Sequence, residues 1–395
     1  MAIALDPGRT YAAESQPAAA TTSPVWHAYA VSFAALCVMV GVYWDISWHM
    51  SIGRDSFWTP AHLVIQAGGL IAGLSSGYVA LKTTFRGSNA ERAASVGFWG
   101  FRAPFGAWIC IWGCGAMLTS APFDNWWHNA YGLDVQIVSP PHTVLALGIF
   151  AIVVGALMLT MALQNRASGA EARRLALLVS AVGGLFIMNF AVFITEYSER
   201  MMLHGTLFYQ IVCVLFPFAL CGLSRAGKLD WSATASAAAF MALMLVLMWT
   251  IEQFPATPKL GPIYQHIGHM VSLSWPLWLV VPAAAIDWLR RRLEGRVSTA
   301  TLAAVLGAAF LAAFMAVEWP FASFLVLNPA ARGGFFNGNN YVYWASNAYV
   351  ARTHEFMPAP ATAVFARGLG LALVCAILSS AVGLLWGRRL TAIRR

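Results

Sequence analysis

Along most of this chain apolar positions neither alternate nor recur every third or fourth residue; they run. Ten such runs stand out, at about 26–48, 61–82, 97–119, 141–163, 174–195, 205–224, 231–251, 269–289, 300–318 and 362–387. Each is close to the ~20 residues an α-helix needs to cross ~30 Å of hydrocarbon. The pattern predicts an all-α fold, a polytopic transmembrane helix bundle of about ten spans. Residues 1–25 are rich in Ala, Ser, Thr and Pro, which predicts a disordered cytoplasmic tail. No cleavable signal pattern precedes the first run, so that span is expected to be its own insertion signal. Connections are short except 319–361, rich in Asn, Gly and aromatics and long enough to hold a re-entrant piece.

Charge orients the runs. Alternate connections, together with both termini, carry 18 of the 24 basic residues, among them Lys82, Arg86, Arg92, Arg102, Arg173, Arg174 and Arg290 to Arg292. The positive-inside rule makes that side cytoplasmic, with the N- and C-termini inside. A net charge of +8 is then a topology signal and an affinity for anionic lipid, and calls for no nucleic acid. A composition 59% hydrophobic and 10% charged excludes a soluble enzyme. The opposite connections hold nine acids and eight of the nine histidines, all but His27. An acid-lined, metal-binding region is expected there, at the periplasmic or extracellular edge of an inner (cytoplasmic) membrane.

The chemistry concentrates in Tyr43–His62, YWDISWHMSIGRDSFWTPAH. Asp45 and His49 are four apart and share a helical face. His62 follows a Thr-Pro helix start and returns beside them if the two helices pack antiparallel. The spacing recurs at Phe123–His142, FDNWWHNAYGLDVQIVSPPH, with Asp124, His128 and His142 offset by 79 to 80 residues. Trp48 and Trp127 precede the first His of each copy, Asp55 and Asp134 follow it by six, and a Ser/Thr-Pro pair precedes the last His. A single His in a membrane helix is more often a packing residue; two matching sets of ligand-type residues favour metal. Residues 26–165 thus form a four-helix metal-binding repeat unit, a tandem two-helix hairpin, and 166–395 a six-helix membrane unit.

Over about 43–150 the chain resembles one of the membrane-embedded subunits of the copper-dependent membrane monooxygenases, particulate methane monooxygenase and ammonia monooxygenase. The resemblance lies in D-x3-H-x12-H and in WHMSIGRDSFWTPAH, against the family's WHxxxxRDxxFTPxH. It implies a copper site at Asp45, His49 and His62, expected to be catalytic, and a second at His128 and His142. Asp124 stands where the family has Asn; the added charge favours a harder or more highly charged cation there. The family also implies partner subunits and an oligomer.

Elsewhere the candidates are weaker. Glu196, Glu199 and His204 sit at one turn. Glu252 ends the seventh run, with His266 and His269 one helical turn apart beyond it. Surface solvation explains these as well as ligation does. Cys110 and Cys114 share a helical face and suit soft Cu(I), but six cysteines within spans read foremost as small apolar residues. The 17 Trp form, for the most part, an interfacial belt; those around the motifs, with Asp55 and Asp134, are candidates for shielding and orienting the ligands.

Two imidazoles and a carboxylate leave coordination positions open, as catalysis requires. Such ligands suit copper, zinc or iron, and the resemblance selects copper. The expected function is a copper-dependent monooxygenase that activates O2 near the membrane edge to oxidise a small apolar substrate, with electrons from quinol or a partner subunit. The alternatives are a membrane transporter or handling protein for copper or another transition metal, and a non-catalytic metal-binding subunit of a larger oxygenase.

Overall fold

The computed structural model describes residues 25–53, 56–132, 139–338, 341–358 and 360–394. Among them, nine helices are long and apolar enough to cross a membrane: α1 (Val25–Ser51), α2 (Pro60–Arg86), α4 (Phe105–Tyr131), α5 (Pro140–Arg166), α6 (Gly169–Phe193), α7 (Thr206–Ala226), α8 (Ser232–Ile251), α10 (Thr299–Leu327) and α12 (Thr362–Ala392). Short helices α3 (Asn89–Ala93), α9 (Val280–Leu293) and α11 (Asn347–Arg352) complete the set, with one two-stranded hairpin, β1 (Val96–Phe98) and β2 (Phe101–Ala103). The protein is an all-α integral membrane protein. Its helix ends fall into a histidine-rich end and an arginine-rich end.

Three boundaries differ from the apolar runs. The run at 97–119 opens as the hairpin, turning through Trp99 and Gly100 at φ 47° and 80°. Pro104 then starts α4, which continues through Pro122 to Tyr131. α10 likewise runs through Pro320 to Leu327, so Glu318 lies inside a span and not on the 319–361 connection. Neighbouring helices let membrane helices tolerate such prolines.

The eighth run, 269–289, is not one helix. α8 ends at the histidine-rich end and α10 begins at the arginine-rich end, so residues 252–298 must cross between them. They do so as irregular chain to Leu279 followed by α9, whose 14 residues reach roughly 21 Å. Pro276 disfavours helix at the residue before it, whereas Pro282 sits in the first turn of α9 and is tolerated there. Irregular backbone survives at that depth only when protein surrounds it and satisfies it. Met270, Val271, Ser272 and Leu279 are buried. Ser51 Oγ accepts from Val271 N (2.7 Å), and Ser47 Oγ donates to Val271 O (2.5 Å). Asn337 Nδ2 donates to the Ser272 and Leu273 carbonyls, and Glu318 accepts from Trp278 N at 3.1 Å. Beyond the break, buried Asp287 of α9 accepts from Thr234 N (2.9 Å), Thr234 Oγ1 and Ser224 Oγ, closing the open N-terminus of α8.

The tandem repeat is visible in packing. A Cβ on Gly68 of α2 would lie 2.7 Å from Ala34 O and Val38 Cγ2 of α1. One on Gly148 of α5, at the equivalent position, would meet Gly113 O (2.9 Å) and Met117 Cγ (2.7 Å) of α4, the equivalents of Ala34 and Val38. Both hairpins therefore close on a glycine that admits the facing backbone, the small-residue packing that brings membrane helices together. Alanine at Gly68 or Gly148 is expected to lower stability by about 1–3 kcal/mol through overpacking. At Gly77 and Gly115, where a Cβ meets nothing within 4 Å, alanine is expected to raise it by up to ~1 kcal/mol through helix propensity. Thermal unfolding in detergent reads the opposite signs.

Candidate metal centre

α1 carries Asp45 and His49 in its last two turns, and the connection to α2 is eight residues, 52–59. So short a loop forces an antiparallel return, and Pro60 begins α2 with His62 in its first turn. Ser56 and Thr59 lock the loop: Ser56 N donates to Thr59 Oγ1 (2.9 Å) and Thr59 N to Ser56 O (2.9 Å). The Ser56 carbonyl is thereby placed 2.9 Å from His62 Nδ1. A carbonyl only accepts, so Nδ1 carries the proton and the neutral ring presents Nε2 as a lone pair.

That Nε2 lies 3.0 Å from Asp45 Oδ1, and His49 Nε2 lies 3.9 Å from Asp45 Oδ2. One ligand atom from each of the three residues falls within 4.8 Å of the others, and among the described residues this group alone meets that spacing. Asp45 Oδ1 is buried without a hydrogen-bond partner. A carboxylate oxygen and an unprotonated imidazole nitrogen facing each other at this distance are both acceptors. A cation between them resolves the conflict, since bonds of about 2.0–2.2 Å hold ligand atoms roughly 3.0–3.6 Å apart. The residues present fit a metal ion.

The second set repeats the arrangement more loosely. His128 Nδ1 is 3.1 Å from Gly132 O, and its Nε2 is 3.4 Å from Asp124 Oδ2. His142 Nε2 is 3.6 Å from Asp124 Oδ1, an oxygen also buried without a hydrogen-bond partner. Ser139 caps α5 by accepting from His142 N (3.3 Å). The copies differ in what stands behind them. The end of α1 is braced by the broken crossing, through Ser47, Ser51 and a bond from Lys259 N to Ile52 O (2.9 Å), and Trp48 packs with Ile251, Ala256 and Met270. Trp126 and Trp127 instead pack with Phe123 and Tyr131 of their own helix. Asp55 and Asp134 lie outside the described residues.

The weaker candidates do not assemble into such a group. His204 is sandwiched between Trp319 and Phe356, with ring centroids 3.8 and 3.7 Å away, and its Nε2 faces Trp319 O at 3.0 Å. Glu196 belongs to a 3-10 turn, and Glu199 precedes the next one. Glu252 accepts from Ser272 Oγ at 2.7 Å. His266 and His269 are exposed on irregular chain, so the one-turn spacing that would align them on a helix has no helix beneath it. Cys110 and Cys114 are buried on α4. The spacing of acids and histidines could not reveal the bracing hydroxyls Ser47 and Ser51. Their signal is their placement on α1, on the face turned from Asp45.

Comparison with protein-family models, with curated proteins and with solved structures returned no match. Fold and site together define an integral membrane helix bundle with an Asp/His/His group able to hold a metal ion.

Asp45→Ala is expected to weaken metal binding at the first set by at least about tenfold and to leave the second intact, read by metal titration of the purified protein. Asp124→Asn, which keeps an oxygen ligand and removes its charge, is expected to shift the second set toward a softer or less charged ion; elemental analysis showing unchanged identity and occupancy would count against the charge argument. Separately, burial holds the His204 imidazole below its ordinary value, against the smaller opposing effect of the Trp319 carbonyl. The unfolded chain then takes up the proton first as pH falls below ~6.5, so this histidine makes the fold less stable on acidification. His204→Phe is expected to flatten that limb of a stability–pH curve.

Proposed function

We propose that the protein is a copper-dependent membrane monooxygenase-like oxidoreductase working at Asp45, His49 and His62. The observation that carries the reading is the convergence of one buried carboxylate oxygen and two imidazole nitrogens within 4.8 Å at a helix-hairpin rim. The choice of copper over zinc or iron rests on the resemblance at Tyr43–His62, since the ligand types suit all three.

A copper ion held there supplies one-electron chemistry with O2. The chain's own residues orient and shelter the site. Ser56 fixes the His62 ring through Nδ1, and Asp45 contributes the single formal negative charge of the set. His49, the more exposed imidazole, leaves one flank open. Phe57 and Trp58, packed edge to face at 5.0 Å and exposed on the 52–59 loop, give an apolar approach from lipid for a small apolar substrate. Electrons come from quinol or a partner subunit within an oligomer, and the histidine-rich end faces the periplasm or cell exterior, as the arginine bias of the other end implies.

One observation favours a second reading, a transporter for copper or another transition metal. The crossing at 252–298 is discontinuous and meets a buried carboxylate, Glu318, and broken membrane helices are where many carriers place their sites.

The two readings separate on purified protein. The oxygenase is expected to contain copper, to give an electron paramagnetic resonance signal with nitrogen coupling, and to consume O2 with a quinol donor. His49→Ala abolishes that consumption, while His128→Ala alters the metal content of the second set. Metal flux into liposomes without O2 consumption would replace this proposal with the transporter.

A further inference from the structure

Glu318 has no part in the metal centre. It lies nine residues before Leu327, the last residue of α10, about two and a half turns inside the helix, and is 3% exposed. Among the described residues no cationic side chain pairs with it. Its Oε2 accepts from the Trp278 amide (3.1 Å), two residues before the first residue of α9. The carboxyl thus faces the N-terminal end of a half-helix that begins inside the bundle, where a negative charge is favoured.

A second observation bears on the same place. Tyr209 of α7 is fully buried, and its hydroxyl has no hydrogen-bond partner. Its ring lies beside α10 at the level of Glu318, 6.0 Å from Phe314 and 6.2 Å from Trp319 between centroids. The indole N–H of Trp278 is likewise buried and unpartnered. The other titratable groups in this neighbourhood are Cys213 of α7, Cys375 of α12 next to it, and His204, which stacks on Trp319 with Nε2 committed to the Trp319 carbonyl. None of them brings a fixed positive charge.

Capping the half-helix alone would need only a neutral acceptor such as Gln. An ionisable group at this depth is costly to keep, and a hydroxyl without a partner is costly to bury. One function uses both. We propose that Glu318 is an intramembrane proton-binding site, loading and releasing a proton at the break in the eighth crossing, with the Tyr209 hydroxyl as the partner that serves both states. As a carboxylate, Glu318 accepts from Trp278 N–H and from Tyr209 O–H. As an acid, it keeps its carbonyl oxygen on Trp278 N–H and turns its own O–H to the Tyr209 oxygen, because a phenol both donates and accepts. The step is proton transfer alone, and the ligand is a proton supplied by water. It stands independently of the metal, and serves an oxygenase that consumes protons as readily as a proton-coupled carrier.

The test is pH-dependent infrared difference spectroscopy on the full chain in detergent. A carboxylic-acid C=O band that appears on acidification is expected in the wild type and lost in Glu318→Gln, whose amide oxygen still accepts from Trp278 N–H and preserves the cap. Tyr209→Phe should keep the band and move it to higher frequency, as a freed acid group would; this variant needs no change at Glu318, so it holds the test open if Glu318→Gln fails to fold. A wild type without such a band, a band that survives in folded Glu318→Gln, or one unmoved by Tyr209→Phe would overturn the proposal.

Discussion

In hydrocarbon a backbone amide or carbonyl has no water to fall back on, and leaving one unmade costs several kcal/mol. The stretch from Met270 to Leu279 is the one described place where the bundle takes on that burden without a helix. The partners it recruits are the architecture. Ser47 and Ser51 meet it from α1, Glu318 from α10 and Asn337 from the long connection. Each partner ties one more element to the break. The end of α1 that presents Asp45 and His49 is held still because the irregular crossing needs its hydroxyls.

The metal centre answers to a related constraint at shorter range. A ring whose Nδ1 is committed to Ser56 O has one remaining nitrogen to offer, and Asp45 Oδ1 stands against it with nothing to donate. The second copy reproduces this conflict with His128, His142 and Asp124 at slightly longer distances. Duplication preserved the ligands and the glycine contact between helices but not the surroundings. One copy leans on the later half of the chain; the other packs within its own hairpin.

Much of this was legible in the residues. Run length announced the helix bundle, and the doubled acid–histidine spacing announced both hairpins, because ligand geometry is local to a helix turn and a short loop. What escaped was backbone path. Hydropathy counts apolar residues without asking whether they lie on a helix, so the Val96–Ala103 hairpin and the broken eighth crossing looked like parts of ordinary spans. Pro276 was the available warning. Pro320 misled in the opposite sense: read as a terminus, it put Glu318 in a loop, whereas a packed membrane helix carries a proline through. His266 and His269 failed for the same reason as the eighth span, having helical spacing on chain that is not helical.

The unequal bracing of the two hairpins also sets an order of maturation. The described contacts that shape the Asp124 set come from residues 123–142, so that cage can be complete as soon as its own hairpin has entered the bilayer. The Asp45 set has its ligands earlier in the chain, yet the segment that steadies them arrives only with Val271, more than two hundred residues later. During biogenesis the first-made ligands are therefore the last to become rigid, and a metal delivered too soon would meet the second hairpin in better repair than the first.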